Sequence, residues 1–260
     1  MSRIDDAMAA LAAKKRKALV AYLCMGDPTH EASIDHAVAC AEAGADVLEL
    51  GVPFSDPTAD GATIAQASER AIRAGGGLER AIDAARAIRK RTNVPLLLFG
   101  YYNPIFVRGE DRTVKDAAAA GVDGFLVVDL PVDEAATLRA SCKQSDLSLV
   151  PLLTPTSSPA RVARTRAALA ECSAGFVYYV SVTGVTGTAE ANLEEAGARA
   201  AELRSQIGAP VVVGFGIDSP DKARAAASGA DGVVVGSAIV RRIHENGDPG
   251  ELVRALRAAI

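Results

Sequence analysis

No apolar run in this 260-residue chain approaches the ~18–20 residues that would cross a bilayer, so nothing here reads as a membrane span. Cysteine is sparse: Cys24, Cys40, Cys142 and Cys172 are widely scattered and form no Cys-x-x-Cys pair. They read as small core residues in a reducing compartment. The three histidines, His30, His36 and His244, lack ligand spacing, which argues against a metal centre. A basic surplus is missing too: 28 Lys and Arg stand against 32 Asp and Glu, for a formal charge of -4. That excludes the electrostatic footprint of a nucleic-acid binder but leaves room for a local positive patch around an anionic ligand. The start, Met1-Ser2-Arg3-Ile4-Asp5-Asp6, opens a helix of mixed charge and not the charged-then-apolar plan of a signal peptide. A cytoplasmic protein is expected. No stretch rich in Pro, Ser or Gly divides the chain, so residues 1–260 are expected to form a single domain.

What is present is a rhythm. Short runs of Val, Leu and Ile alternate with Ala-rich helical stretches, and strands are predicted at about 19–23, 47–50, 96–99, 124–128, 148–152, 176–180, 211–213 and 233–235. These runs are apolar on both faces, as parallel strands covered by helices must be. Eight such βα units favour an α/β fold of one class, a single (β/α)8 TIM barrel with an extra N-terminal helix. Ser158-Pro159 and Ser219-Pro220 place a capping hydroxyl before a proline at the first helical position. Gly44, Gly121 and Gly229, each two residues before an aspartate, read as left-handed helix ends leading into strands.

In such a barrel the chemistry sits at the C-terminal ends of the strands. Glu49 interrupts an otherwise apolar strand, Val47-Leu48-Glu49-Leu50, where an ionised carboxylate would lose its hydration. Burial there would raise its pKa into the range of a general acid or base. Pairing with an Arg or a hydroxyl from another strand is the alternative. Asp60 follows on the same connection, as a second acid or as an ordinary turn residue and N-cap for the helix beginning at Ala62. Gly214-Phe215-Gly216-Ile217 after strand seven and Gly236-Ser237 after strand eight are where backbone N–H groups and a helix N-terminus would receive a phosphate. The small-residue segment 181–187 after strand six is a candidate lid or, equally, a disordered connection. None of the seven lysines ends a strand, which disfavours Schiff-base chemistry. Proton transfer by carboxylates on a phosphorylated substrate is what remains.

The segment Glu49-Leu50-Gly51-Val52-Pro53-Phe54-Ser55-Asp56-Pro57-Thr58-Ala59-Asp60-Gly61 closely resembles the tryptophan synthase α-chain family. So do Gly26-Asp27-Pro28, Ser181-Val182-Thr183-Gly184-Val185-Thr186-Gly187 and Gly214-Phe215-Gly216-Ile217, and the match runs in order along essentially the whole chain. The resemblance implies a lyase that splits indole-3-glycerol phosphate into indole and glyceraldehyde 3-phosphate by a retro-aldol reaction without a cofactor. It makes Glu49 the acid/base and Asp60 the acceptor for the indole N–H. Tyr22, Phe99, Leu126, Tyr178 and Phe215 become the slot for the ring, with Thr186 holding the lid near Asp60. Gly187, Gly216, Gly236 and Ser237 become the phosphate contacts. It also implies a partner, a pyridoxal-phosphate β chain, in an α2β2 heterotetramer, docking on Pro53, Asp56, Asn103, Phe106 and Pro131. The pyridoxal phosphate would belong to that partner only. Tyr22 stands where phenylalanine is common in the family, and Val182 where some members carry arginine. A phosphosugar isomerase barrel, or a ligand-binding activator subunit without turnover, are the competing expectations.

Overall fold

The computed structural model describes residues 2–180, 192–214 and 216–260. Among them are nine parallel strands: β1 (Ala18–Cys24), β2 (Val47–Gly51), β3 (Leu96–Gly100), β4 (Gly124–Val127), β5 (Ser148–Leu149), β6 (Leu152–Leu153), β7 (Val177–Val180), β8 (Val211–Gly214) and β9 (Gly232–Val235). Their order is β5-β4-β3-β2-β1-β9-β8-β7-β6. The two end strands are halves of one stave, interrupted at Val150-Pro151 because proline has no N–H to offer a ladder. The stave still joins its neighbours on both sides. Val150 N–H donates to Phe125 O on β4 at 2.8 Å, and Pro151 O accepts from Tyr178 N–H on β7 at 2.9 Å. The barrel is therefore closed, with the predicted fifth strand, 148–152, divided in two.

Alternate residues along each strand serve two separate cores. Leu19, Leu23, Leu48, Leu50, Leu96, Leu98 and Phe125 face outward beneath the helices. Val20, Val47, Leu97, Leu126, Val150, Phe176, Val212 and Val234 face inward, where they meet Ile4, Met8 and Leu11 of the helix Arg3–Ala13. That helix plugs the N-terminal mouth. Its cap Ser2 bonds Ser148 Oγ at 2.6 Å, at the start of β5, and Asp5 bonds Ser173. Burying three such side chains contributes roughly 5 kcal/mol, and it closes this mouth with packed side chains.

The same lower face is latched by three aspartates. Asp46, Asp123 and Asp231 precede β2, β4 and β9, and each accepts the backbone N–H of a residue on the neighbouring strand: Leu19 (2.9 Å), Leu96 (2.8 Å) and Val211 (2.9 Å). Each also holds an arginine, Arg257, Arg89 and Arg204 respectively, at 2.7 to 2.8 Å. Gly44 and Gly121 adopt the expected left-handed conformation, with φ of 107° and 87°. Gly229 does not. It is required by a close approach instead, since a Cβ there would lie 2.2 Å from Gly197 O. The proline-led helices are capped as expected, Ser158 Oγ accepting from Arg161 N–H and Ser219 Oγ from Lys222 N–H.

Candidate active site

Glu49 is the third residue of β2 and points into the barrel, in register with Tyr22 on β1 and Leu97 on β3. It is 1 % exposed. Neither carboxyl oxygen has a hydrogen-bond partner among the described residues, so no Arg or hydroxyl among them pairs with it. Burial without a compensating charge pushes its pKa up to about 8. At neutral pH the side chain is therefore a protonated acid, oriented by its strand and waiting for a partner.

Two glycines make the surrounding mouth aromatic. A Cβ on Gly51 would fall 2.3 Å from the Tyr22 hydroxyl, and one on Gly214 would fall 2.0 Å from the Tyr178 hydroxyl. Their absence at the strand ends lets both tyrosine rings lie across the opening. Tyr22 also meets Phe99 edge to face, at 5.3 Å between centroids and 79° between planes.

The connection after β2 brings Asp60 back over this mouth. Tyr101, the residue immediately after β3, donates its hydroxyl to Asp60 Oδ2 at 3.1 Å and accepts the Ala59 N–H at 3.0 Å. Its ring stacks on Phe54, with centroids 5.1 Å apart. Ser68 secures the start of the same loop, accepting from Phe54 N–H at 2.7 Å and donating to Phe54 O at 3.0 Å. Burial pushes Asp60 up to about 6, against the pull of the Tyr101 hydrogen bond toward the ionised form. Asp60 is not a helix cap: the helix Ala62–Arg73 has Gly61 as its N-cap, with no side-chain cap bond. After the neighbouring strand β1, Asp27 forms a two-pronged pair with Arg70 of that helix, at 2.7 and 2.8 Å, and so fixes the segment Gly26-Asp27-Pro28.

The two acids open on one cavity of about 460 Å³. Of the residues expected from sequence, Tyr22, Glu49, Asp60, Phe99, Tyr178, Gly216, Gly236 and Ser237 line it. Leu126 does not. It is fully buried in the inward core beside Leu97 and Val150, and Val128, two residues on along the same face, lines the cavity in its place. Thr186, Gly187 and Phe215 lie outside the described residues. Ile64, Leu152, Thr154 and Arg241 are lining residues that strand-end reasoning did not single out. Tyr101 was within its reach, as the first residue after a strand. Two staves along from the strand of Glu49, Gly236 and Ser237 begin the helix Ser237–His244, so the unpaired N–H groups of its first turn face the cavity.

Of the surface residues expected to meet a partner, Asp56, Asn103 and Pro131 are exposed, and Phe106 is 65 % exposed. Pro53 is buried: it packs against the turn at Gly76, where a Cβ would lie 3.2 Å from Pro53 Cγ, and so offers no docking surface. Residues 103–106 are helical, within Tyr102–Arg108, and that helix also exposes Val107 at 76 %.

A family model described as tryptophan synthase alpha chain matches residues 8–258. The chain belongs to the tryptophan synthase α-chain family. It is 49 % identical to the tryptophan synthase alpha chain of Geobacter sulfurreducens, over all of this chain and 99 % of that one. To that of Geotalea daltonii it is 48 % identical, over 94 % of this chain and 91 % of that one. Among solved structures, the tryptophan synthase subunit alpha of Legionella pneumophila superposes with a TM-score of 0.89 at 34 % identity, covering 100 % of this chain and 98 % of that one. A Mycobacterium tuberculosis tryptophan synthase structure matches with a TM-score of 0.88 at 35 % identity, over 100 % and 98 %. Tryptophan synthase α chains are the lyase subunits that cleave indole-3-glycerol phosphate in tryptophan biosynthesis, and this chain is an enzyme of that family. Membership implies a β-chain partner. Among the described residues no helix is long and apolar enough to cross a membrane.

Proposed function

We propose that Glu49 and Asp60 carry the cleavage, in a barrel formed by residues 1–260 as one domain. The observation that supports this reading is the buried carboxyl of Glu49, without a partner among the described residues and raised to about 8, in the same cavity as Asp60, raised only to about 6. Glu49 gives its proton to indole C3, which turns the ring into an electron acceptor and places positive charge on the ring nitrogen. Asp60, ionised at neutral pH, accepts the N–H hydrogen bond and stabilises that charge where it develops. The Glu49 carboxylate then takes the proton of the side-chain hydroxyl next to the breaking bond. As the C–C bond electrons return to the ring, the hydroxyl carbon leaves as an aldehyde. Glu49 ends protonated as it began, so no cofactor is consumed in the step.

The remaining assignments follow the shape of the cavity. Tyr22, Phe99 and Tyr178 hold the flat ring, while Gly216, Gly236 and Ser237 receive the phosphate through backbone N–H groups and the helix terminus. Gly187, Thr186 and Phe215, outside the described residues, keep their expected roles in this reading, Gly187 toward the phosphate and Thr186 and Phe215 toward the indole part of the substrate. The β chain docks on the exposed face of Asp56, Asn103, Phe106, Val107 and Pro131, in an α2β2 assembly in the cytoplasm. Pyridoxal phosphate belongs to that partner alone.

The test is turnover of indole-3-glycerol phosphate by the purified chain, followed as release of indole. Glu49→Gln is expected to lose about a thousandfold or more in rate while still binding sn-glycerol 3-phosphate, and Asp60→Asn about a hundredfold. Full turnover by Glu49→Gln would remove the acid/base assignment.

A further inference from the structure

The phosphate end of the cavity contains a charge that backbone geometry alone does not explain. Arg241 lines the cavity together with Ser237 and Ala238. It stands four residues after Ser237 on the helix Ser237–His244, on the same face. Helical side chains lean toward the helix N-terminus, which directs the exposed Arg241 side chain back along the turn whose N–H groups open on the cavity. Its neighbour Arg242 is spent elsewhere, donating to Glu251 at 2.6 Å on the outside of the barrel. Arg241 has no side-chain hydrogen bond or ion pair among the described residues, and it is the one cation among those lining the cavity. The other charged lining groups are acids. Glu49 is protonated at neutral pH, Asp60 is held by Tyr101, and Asp218 is paired with Lys222 at 3.0 Å. A dianion placed at the helix terminus would meet Asp218 and Asp60 with only partial charges in its favour unless a full cation answered it. The cavity is built for a ligand on independent grounds, since the buried Glu49 carboxyl that opens on it has no partner among the described residues.

We infer that Arg241 is the side chain that neutralises the substrate phosphate at this helix terminus and gives the site its preference for a phosphomonoester dianion. The inference rests on the reading that Gly216, Gly236 and Ser237 receive the phosphate. Arg241 acts on binding and specificity; the proton transfers at the ring belong to Glu49. A planar guanidinium presents paired donors to phosphate oxygens, and lysine at the same place supplies the charge without the fork.

Arg241→Gln and Arg241→Lys decide the matter in the full chain. The readouts are the KM and kcat for indole-3-glycerol phosphate, the dissociation constants of sn-glycerol 3-phosphate and of indole by calorimetry, and the melting temperature. Arg241→Gln is expected to raise the KM and the glycerol phosphate dissociation constant about tenfold, the size of a charged hydrogen bond partly open to solvent. The greater part of the effect falls on KM, indole binding stays unmoved, and Arg241→Lys recovers most of the loss. A general structural defect would lower the melting temperature and weaken indole binding equally; Arg241→Met, which keeps the aliphatic stem, then repeats the comparison. Equal affinity of the wild-type and Arg241→Gln chains for glycerol phosphate overturns the inference. If the wild-type chain binds glycerol phosphate through Arg241 but does not cleave the indole substrate, the proposed catalysis falls and this inference stands.

Discussion

Replacing Glu49 by glutamine should make the protein more stable while it disables the enzyme. An unfolded glutamate ionises near 4.5, and in the folded chain burial holds the same carboxyl near 8. Below 4.5 the group is protonated in both states and costs nothing. Between the two values the unfolded state gains by ionising and the folded state cannot follow, so folding stability falls as pH rises through this window and levels off above it. At 1.36 kcal/mol per pH unit, the gap of 2.5 units between 4.5 and pH 7 amounts to about 3 kcal/mol. Glutamine keeps the shape of the protonated acid and has no proton to lose. Urea unfolding should therefore place Glu49→Gln about 3 kcal/mol above wild type at pH 7 and only about 1 kcal/mol above it at pH 5. In thermal melts the pH 7 difference is about 5 °C for a chain of this length. A difference that does not change with pH, or a less stable Glu49→Gln, would refute the reasoning, since either result means that the carboxyl is already paired or hydrated in the native state.

The two acids also set the pH profile. The kcat/KM for cleavage should rise through about 6 as Asp60 ionises and fall above about 8 as Glu49 loses its proton. Tyr101→Phe removes the hydroxyl that favours ionised Asp60, so the acid limb should move toward neutral pH while the basic limb stays; an unmoved acid limb would dismiss the contact. Asp123→Ala leaves the Leu96 N–H and the mostly buried Arg89 without their partner at the barrel's lower face. A loss of about 3 kcal/mol in urea unfolding is expected, and a loss under about 1 kcal/mol would mean that the latch is ornamental. Phe106→Asp places a charge on an exposed apolar helix and should weaken association with a β chain by about 2 kcal/mol in sedimentation or calorimetry. Unchanged association would move the docking surface elsewhere.

The barrel was legible in the sequence because its strands are buried on both faces and its helices carry local signals such as Ser158-Pro159. The split fifth stave was not, although Pro151 was in view, because pairing on either side of a proline depends on neighbours distant in sequence. The aspartate latch was half visible: Gly-x-Asp recurs at three turns, yet the acceptor function of Asp46, Asp123 and Asp231 appears only once the adjacent strands lie alongside. Glu49 announced itself as a carboxyl among apolar residues, a local conflict that functional sites tolerate. Leu126 misled for the opposite reason. It shares a face with Val128, and periodicity gives the face without the depth, so which of the two reaches the cavity is settled by the plug formed by Ile4, Met8 and Leu11. Tyr101 stands first after a strand and Arg241 one turn after Ser237, but that the one reaches Asp60 and the other lines the cavity depends on loop and helix placement that the sequence does not show.

The carboxyl resonance of Glu49, followed by carbon-13 NMR and assigned by its absence in Glu49→Gln, tests the central claim most directly. Titration near pH 8 in the free protein is the expected result. Titration near 4.5, the value of an exposed glutamate, would show a hydrated or paired carboxylate and contradict the account.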